Sequence, residues 1–202
     1  MEQSNWLPEV IDDYVQAHTA VLPRELLDEL ERTTYLEVMR PQMLSGYLQG
    51  QYLALTSRLK RPNRILEVGT YTGYATICLA EGLTAGGILH TIDSNPELET
   101  VATKYIQRAA RAEQIIQHQG DALQIIPTLD ETWDLVFLDA DKANYTAYYD
   151  LLFPRLPIGA LLIADNVLWQ GKVARGSHEK RASALAGFNK KGLKDTLVKN
   201  FL

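Results

Sequence analysis

Four residues hold the densest chemistry in this chain: Asp139, Lys142, Asp165 and Asn166. The first two follow the apolar run Trp133-Asp134-Leu135-Val136-Phe137-Leu138, in the order Asp139-Ala140-Asp141-Lys142. The other two follow Pro157-Ile158-Gly159-Ala160-Leu161-Leu162-Ile163-Ala164. Short apolar runs of this kind read as buried parallel strands, and in an open α/β sheet ligands gather beyond the carboxyl ends of the strands. Two carboxylates and an amide would then share one rim, with an amine beside them. Hard oxygen donors of this sort suit a divalent cation that keeps some water and takes a substrate oxygen. Each residue also has a plainer account, as a helix cap, a solvated loop acid or an exposed lysine at a helix start. The grouping of all four beside a glycine loop favours chemistry over those accounts.

The elements that must position them alternate strand and helix from Arg64 onward. Strands are expected at Ile65–Gly69, Ile88–Asp93, Ile115–Gln119, Trp133–Leu138 and Pro157–Ala164. Helices are expected at Tyr74–Leu83, Pro96–Arg111, Ala122–Leu129 and Tyr145–Leu156. Such a succession calls for an α/β fold with a doubly wound, mostly parallel sheet. Before it, apolar residues at helical spacing mark helices over 8–18, from Pro23 to Leu36, and over Gly46–Leu59. After Asn166 come a polar loop, a helical stretch to about Asn189 and a strand-like end, Thr196–Leu202. The expectation is one domain over 1–202, with a helical N-terminal region (1–60) and a Rossmann-like core (64–202).

The turn after the first strand, Glu67-Val68-Gly69-Thr70-Tyr71-Thr72-Gly73, lets the backbone approach a ligand closely. Asp93 ends the second strand, where a carboxylate can take both hydroxyls of a ribose. A dinucleotide site wants glycine where Tyr71 stands, and Glu67 would repel a diphosphate. An acid just inside the loop suits a ligand with a positive amino group, and S-adenosylmethionine combines that group with a ribose. Gly120-Asp121-Ala122 ends the third strand. Asp121 is either an adenine contact or the N-cap of the next helix, and the two are compatible.

Composition narrows the class. The chain has 202 residues, a formal net charge of −5 and a single cysteine, Cys78, which reads as a small core residue. No apolar run approaches the ~18 residues of a membrane span, and the first residues lack the pattern of a signal peptide. A cytoplasmic protein without an intramolecular disulfide is expected. The acidic balance argues against a general nucleic-acid binder. The loop basics Arg175, Lys180 and Arg181 read as solvated surface, with contact to an anionic substrate tail as the alternative.

Taken together, Glu67 to Gly73, Asp93, Phe137 to Lys142 and Ala164-Asp165-Asn166-Val167-Leu168-Trp169 resemble the cation-dependent class I O-methyltransferases. That group includes catechol and caffeoyl-CoA O-methyltransferases and bacterial relatives. The resemblance runs from about Arg40 to the end, and Met43-Leu44-Ser45-Gly46 resembles the family's segment over the cofactor. It implies that Met43, Ser45, Glu67, Gly69, Thr70, Tyr71, Gly73, Ala75, Asp93, Asp121, Ala122 and Asp139 form the S-adenosylmethionine site. It implies that Asp139, Asp165 and Asn166 are metal ligands, and that Lys142 takes the proton from the attacking hydroxyl. It also implies a homodimer formed through the N-terminal helices.

Three positions depart from the family pattern. Ala75 stands where many members have a cofactor-binding serine, leaving that contact absent or shared with Thr76. Ala140-Asp141 follows the bacterial and caffeoyl-CoA type. The chain reaches Leu202 where the family continues into a final antiparallel strand.

The expected reaction is methyl transfer to one oxygen of a vicinal dihydroxy aromatic, an in-line displacement whose main demand is positioning. Two carboxylates and one amide would leave three octahedral positions for a bidentate diol and a water. Oxygen-only ligation favours Mg²⁺, with Mn²⁺ or Ca²⁺ as alternatives, and the four histidines lack zinc-site spacing. The lysine must be neutral to act as a base, a state that burial and a neighbouring cation favour for any amine. Trp169 is the expected aromatic contact for substrate, whereas at least two of Tyr145, Tyr148 and Tyr149 are expected to pack in the core. Three other readings stand beside this one. They are a tRNA wobble hydroxyuridine O-methyltransferase, a non-catalytic nucleotide-binding or scaffolding domain, and a nicotinamide-dependent oxidoreductase that Tyr71 and Glu67 disfavour.

Overall fold

A computed structural model describes residues 8–19 and 23–202. The N-terminal helices are α1 (Glu9–His18), α2 (Arg24–Glu37) and α3 (Gly46–Lys60). The alternating core follows as β1 (Arg64–Val68), α4 (Tyr74–Ala80), β2 (Ile88–Asp93), α5 (Pro96–Ile106), β3 (Ile115–Gln119), α6 (Ala122–Ile125), β4 (Leu135–Leu138), α7 (Tyr145–Leu152), β5 (Leu161–Ala164) and α8 (Lys180–Lys194). All five strands are parallel, in the order β3-β2-β1-β4-β5.

The sheet is covered on both faces, as a doubly wound fold requires. Leu27 and Leu30 of α2, Leu53 of α3, Ile77 and Leu79 of α4, and Tyr105 of α5 pack on Ile65, Leu89 and Leu135. Ile126, Trp133, Tyr145, Leu152 and Leu185 pack on Leu66, Ile92, Val136 and Leu138 on the other side. Successive strand residues feed opposite cores, which is why the strand text is apolar without alternation.

Register does most to build a site. Val68 is paired with Ile92 on one side and with Leu138 on the other, and Leu138 is paired with Ala164. The next residue of each strand therefore emerges at the same level: Gly69, Asp93, Asp139 and Asp165. Hydrogen bonds carry the alignment one step past the strands, from Gly69 N–H to the Ile92 carbonyl (2.9 Å), Asp139 N–H to Val68 (2.8 Å) and Asp165 N–H to Leu138 (2.9 Å). The strand order reverses between β1 and β4, which opens a crevice at that rim.

The element boundaries differ from expectation in physically intelligible ways. Helix α5 stops at Ile106, its last buried apolar residue, and Gln107–Gln114 turns back to the sheet. There the Gln114 amide donates to the Thr84 and Gly87 carbonyls (3.0 and 2.7 Å) and pins the return. Helices α6 and α7 hand over to single 3₁₀ turns, Ile126–Thr128 and Phe153–Arg155, each containing a proline. Helix α8 runs on to Lys194, with Lys191 and Lys194 in its last turn, where cations favour the helix dipole. The strand-like end does not form a strand: Thr196–Leu202 is turn and irregular chain. The Asp195 carboxylate takes the Tyr149 hydroxyl (2.7 Å) and the Leu197 N–H (3.0 Å), holding the start of this segment against α7. Among the described residues the sheet has no antiparallel strand, and β5, half-exposed along its length, is one of its two edges. No helix of the described residues is long and apolar enough to cross a membrane.

Candidate active site

A cavity of about 440 Å³ opens at the reversal of strand order. Its walls include Gly69, Thr70, Tyr71 and Ala75 from β1 and α4, Asp93 from β2, Asp121 and Ala122 from the start of α6, and Asp139 from β4. Met43, Leu44 and Ser45, from the connection between α2 and α3, lie against it from outside the sheet. Ten of the twelve residues expected at the cofactor site therefore share one cavity of a size usual for small-molecule sites. Glu67 and Gly73 are not among its walls.

Two features of the floor follow from backbone geometry. Gly69 has φ +108°, and a Cβ there would overlap the backbone carbonyl of Asp139, so only glycine lets β1 and β4 converge at the crevice. Asp93 receives the Tyr71 N–H on Oδ2 and the Asn95 N–H on Oδ1, both at 2.8 Å. Tyr71 sits in the left-handed region (φ 50°) to make its bond. The carboxylate is fixed by backbone donors, and each oxygen retains acceptor capacity toward the cavity. Asp121 does both things weighed for it: Oδ1 caps α6 through the Leu123 N–H (2.9 Å), and the residue lines the cavity.

Glu67 differs from its expected place. Its carboxyl is fully buried beneath the loop, with Oε2 accepting the hydroxyls of Thr76 and of Thr91 (2.6 Å for Thr91). Thr91 in turn shares a 2.5 Å hydrogen bond with Thr70, which lines the cavity. Oε1 is buried and has no partner. Burial pushes the acid up to about 8, with the two hydroxyls opposing and Asp139 and Asp93 adding to the rise. The residue thus braces the glycine loop from below. Thr76 is committed to Glu67 and fully buried, so it does not replace the serine absent at Ala75. Gly73 adopts φ +91° at the start of α4 and packs toward Ile106.

Asp139 is a wall of the cavity and forms an acidic pair with neighbouring Asp165, whereas Asp165, Asn166 and Lys142 are not among the walls. Asp139 is largely buried, and Lys142, only 6% exposed, donates from Nζ to Asp139 Oδ1 at 2.6 Å. Lys142 reaches back because Asp141 caps the short turn Lys142–Asn144 through the Ala143 N–H (3.3 Å). Burial holds the Asp139 carboxyl above the usual carboxylate range; Lys142 opposes this, and the neighbouring Asp165 adds to it. Asn166 follows in a left-handed conformation (φ 57°), exposed at the rim. Among the described residues no third acid, histidine or cysteine joins the pair. A largely buried carboxylate beside a second, half-buried one fits a divalent cation by charge and donor type.

The aromatic residues divide. Tyr145 and Tyr149 are core, whereas Tyr148, also buried, lends part of its surface to the cavity. Trp169 is half-buried in the loop after Asn166, its indole N–H on Glu179 (3.2 Å) and the Arg181 guanidinium 5.6 Å from its ring centroid. It is held by side chains at the start of α8 and is not a wall of the cavity. Ser94, Leu98 and Asn144 line the cavity without having been expected there; they come from the turn after β2, helix α5 and the turn before α7, where no motif marks them.

An open parallel sheet with this rim defines a class I methyltransferase-type fold, and comparison with known proteins makes the assignment specific. A family model described as O-methyltransferase matches residues 16–202, and the chain belongs to that family. A catechol O-methyltransferase of Niastella koreensis is 40% identical over 129 residues, covering 62% of this chain and 58% of that protein. A catechol O-methyltransferase of Mycobacterium tuberculosis is 35% identical over 145 residues, 71% of this chain and 66% of that one. The matched stretch is thus under two thirds of either relative's length. Among solved structures, the O-methyltransferase TomG of Streptomyces achromogenes, involved in tomaymycin synthesis and in complex with SAM, superimposes with a TM-score of 0.87 at 30% identity, over 97% of this chain and 88% of that one.

Proposed function

We propose that this chain is an S-adenosylmethionine-dependent, divalent-cation-dependent O-methyltransferase acting on vicinal dihydroxy aromatics of the catechol type. The observation that carries the reading is the register of the strand ends. It sets Gly69 and Asp93, which fit a nucleoside-bearing donor, on the same rim as Asp139 and Asp165, with Lys142 on Asp139. Family membership and the SAM complex of TomG support it.

In this reading Asp93 takes the ribose hydroxyls, the backbone around Gly69 and Thr70 faces the methionine portion, and Asp121 and Ala122 flank the adenine. Asp139, Asp165 and Asn166 would hold the cation, with Mg²⁺ suited to the oxygen set and Mn²⁺ or Ca²⁺ as alternatives. When bound, the donor supplies a methyl group on a sulfonium, and the cation lowers the energy of a developing phenolate. Lys142 Nζ would receive the hydroxyl proton. The walls fix the direction of approach, which is the main requirement of a displacement at carbon.

The inferred partner is a second copy of the chain. Leu48, Tyr52, Leu55 and Leu59 form an i, i+4, i+7, i+11 stripe on α3 and are 47 to 78% exposed, a pattern that suits helix packing between subunits. A second substrate reading keeps the same chemistry on a tRNA wobble hydroxyuridine. It draws on the exposed cations Arg175, Lys180, Arg181, Lys190, Lys194 and Lys199 on and around α8. The deciding experiment is transfer of labelled methyl across a panel of catechols and undermodified tRNA, with and without chelator. Transfer to catechols that chelator abolishes is expected. Turnover indifferent to chelator would overturn the cation assignment, and no transfer to any acceptor would overturn the activity.

A further inference from the structure

The reading above gives no part to the Tyr145 hydroxyl, yet this group sits where the two acid-bearing strands end. Tyr145 opens α7 and is fully buried. Its O–H donates to the Leu138 carbonyl at 2.7 Å, and the Asp165 carbonyl lies 3.2 Å away. Lys142 Nζ donates to the same phenolic oxygen at 2.8 Å. A phenol has one proton, and here it is directed at a backbone carbonyl, so toward the lysine Tyr145 can act only as an acceptor.

Lys142 therefore divides its N–H groups between Asp139 Oδ1 and Tyr145. A divalent cation held by Asp139 and Asp165 competes with the ammonium for Asp139. An amine so deeply buried has little water to turn to, and leaving it unpaired is costly. We propose that Tyr145 is a positioning residue that keeps the Lys142 amine at the rim once Asp139 passes to the cation, so that ion and base occupy the site together. Without the hydroxyl, Asp139 is the remaining acceptor this geometry offers Lys142, and amine and ion exclude one another. The inference rests on the cation reading.

The test is Mn²⁺ binding, by calorimetry or by electron paramagnetic resonance, to protein without methyl donor or acceptor. Binding to the unsubstituted chain tests the cation reading by itself, and its absence overturns both claims. Given binding, Tyr145→Phe is expected to weaken Mn²⁺ by about ten-fold or more, the scale of a hydrogen bond to a charged group. Affinity for S-adenosylmethionine should hold, and kcat should fall while KM for the donor stays. Lys142→Met, which removes the competitor, should bind Mn²⁺ more tightly than the unsubstituted chain. Adding Tyr145→Phe to Lys142→Met should change nothing further. An equal loss in both backgrounds would mean a packing defect, and that result, or an unchanged affinity in Tyr145→Phe alone, overturns the inference; so does Lys142→Met that fails to tighten the ion.

Discussion

Replacing Glu67 with glutamine should make the protein more stable in mild alkali and leave it little changed in mild acid. The carboxyl is fully buried, receives two threonine hydroxyls on one oxygen and nothing on the other, and is held at about 8 against 4.5 for an exposed glutamate. The folded state therefore keeps a proton that the unfolded chain releases. Its contribution is fully present below 4.5, is lost progressively as pH rises, and is gone above about 8. At ~1.4 kcal/mol per unit, the span sets a ceiling of about 5 kcal/mol, and relaxation around the site brings a realistic figure nearer 2–3 kcal/mol. Glutamine does not titrate, and its carbonyl can take over both threonine hydroxyls. Its amide nitrogen replaces the unpartnered oxygen, which costs roughly 1–2 kcal/mol at every pH. The two effects predict crossing curves: Glu67→Gln slightly less stable near pH 5 and more stable near pH 9. Urea unfolding of both proteins at half-unit intervals from pH 5 to 9 gives the difference directly. Parallel curves would refute the reasoning, because they would mean that Glu67 carries the same protonation folded and unfolded.

Two further substitutions probe the rim and the outer face. Gly69→Ala places a methyl against the Asp139 carbonyl in a conformation of φ +108°; a loss of roughly 2–4 kcal/mol, or a fall in Tm of about 5–15 °C, is expected together with weaker donor binding. A thermal melt within 2 °C of the unsubstituted protein would contradict it. Leu55→Glu changes a residue 58% exposed at the middle of the α3 stripe, so monomer stability should move by no more than about 0.5 kcal/mol. Sedimentation should nevertheless show the mass of one chain where the unsubstituted protein shows two; an unchanged mass for the pair would rule this face out as the dimer surface.

The strand ends were legible in the sequence because burial on both faces removes polar residues from a parallel strand. The first hard donor after each apolar run then stands out, and Asp93, Asp139 and Asp165 fall at matched register positions. Cavity-lining residues contributed by turns, such as Ser94 and Asn144, had no such contrast with their neighbours. The last seven residues show the opposite failure. Thr196–Leu202 looked strand-like locally, but a strand exists only where a neighbour accepts its backbone, and Asp195 anchors this stretch to Tyr149 instead.

Glu67 lies deeper than motif reading expected, beneath the loop and not at the cavity wall. Two residues apart, Glu67 and Gly69 share a face of the sheet, so their depth along the strand decides what each meets. Gly69 is at the rim and lines the cavity; Glu67 lies one pleat back and meets Thr76 and Thr91. Tyr145 follows the same logic from the helix side: its place on one helix face with Tyr148 and Tyr149 read as packing, and the ring does pack, but its oxygen touches both the amine and the Leu138 carbonyl. In each case the chemistry rests on a buried polar atom attached to a residue whose bulk serves the core. Sequence displays the bulk and conceals the atom's partner, so the supports of this site emerge only when the hydrogen bonds are traced one by one.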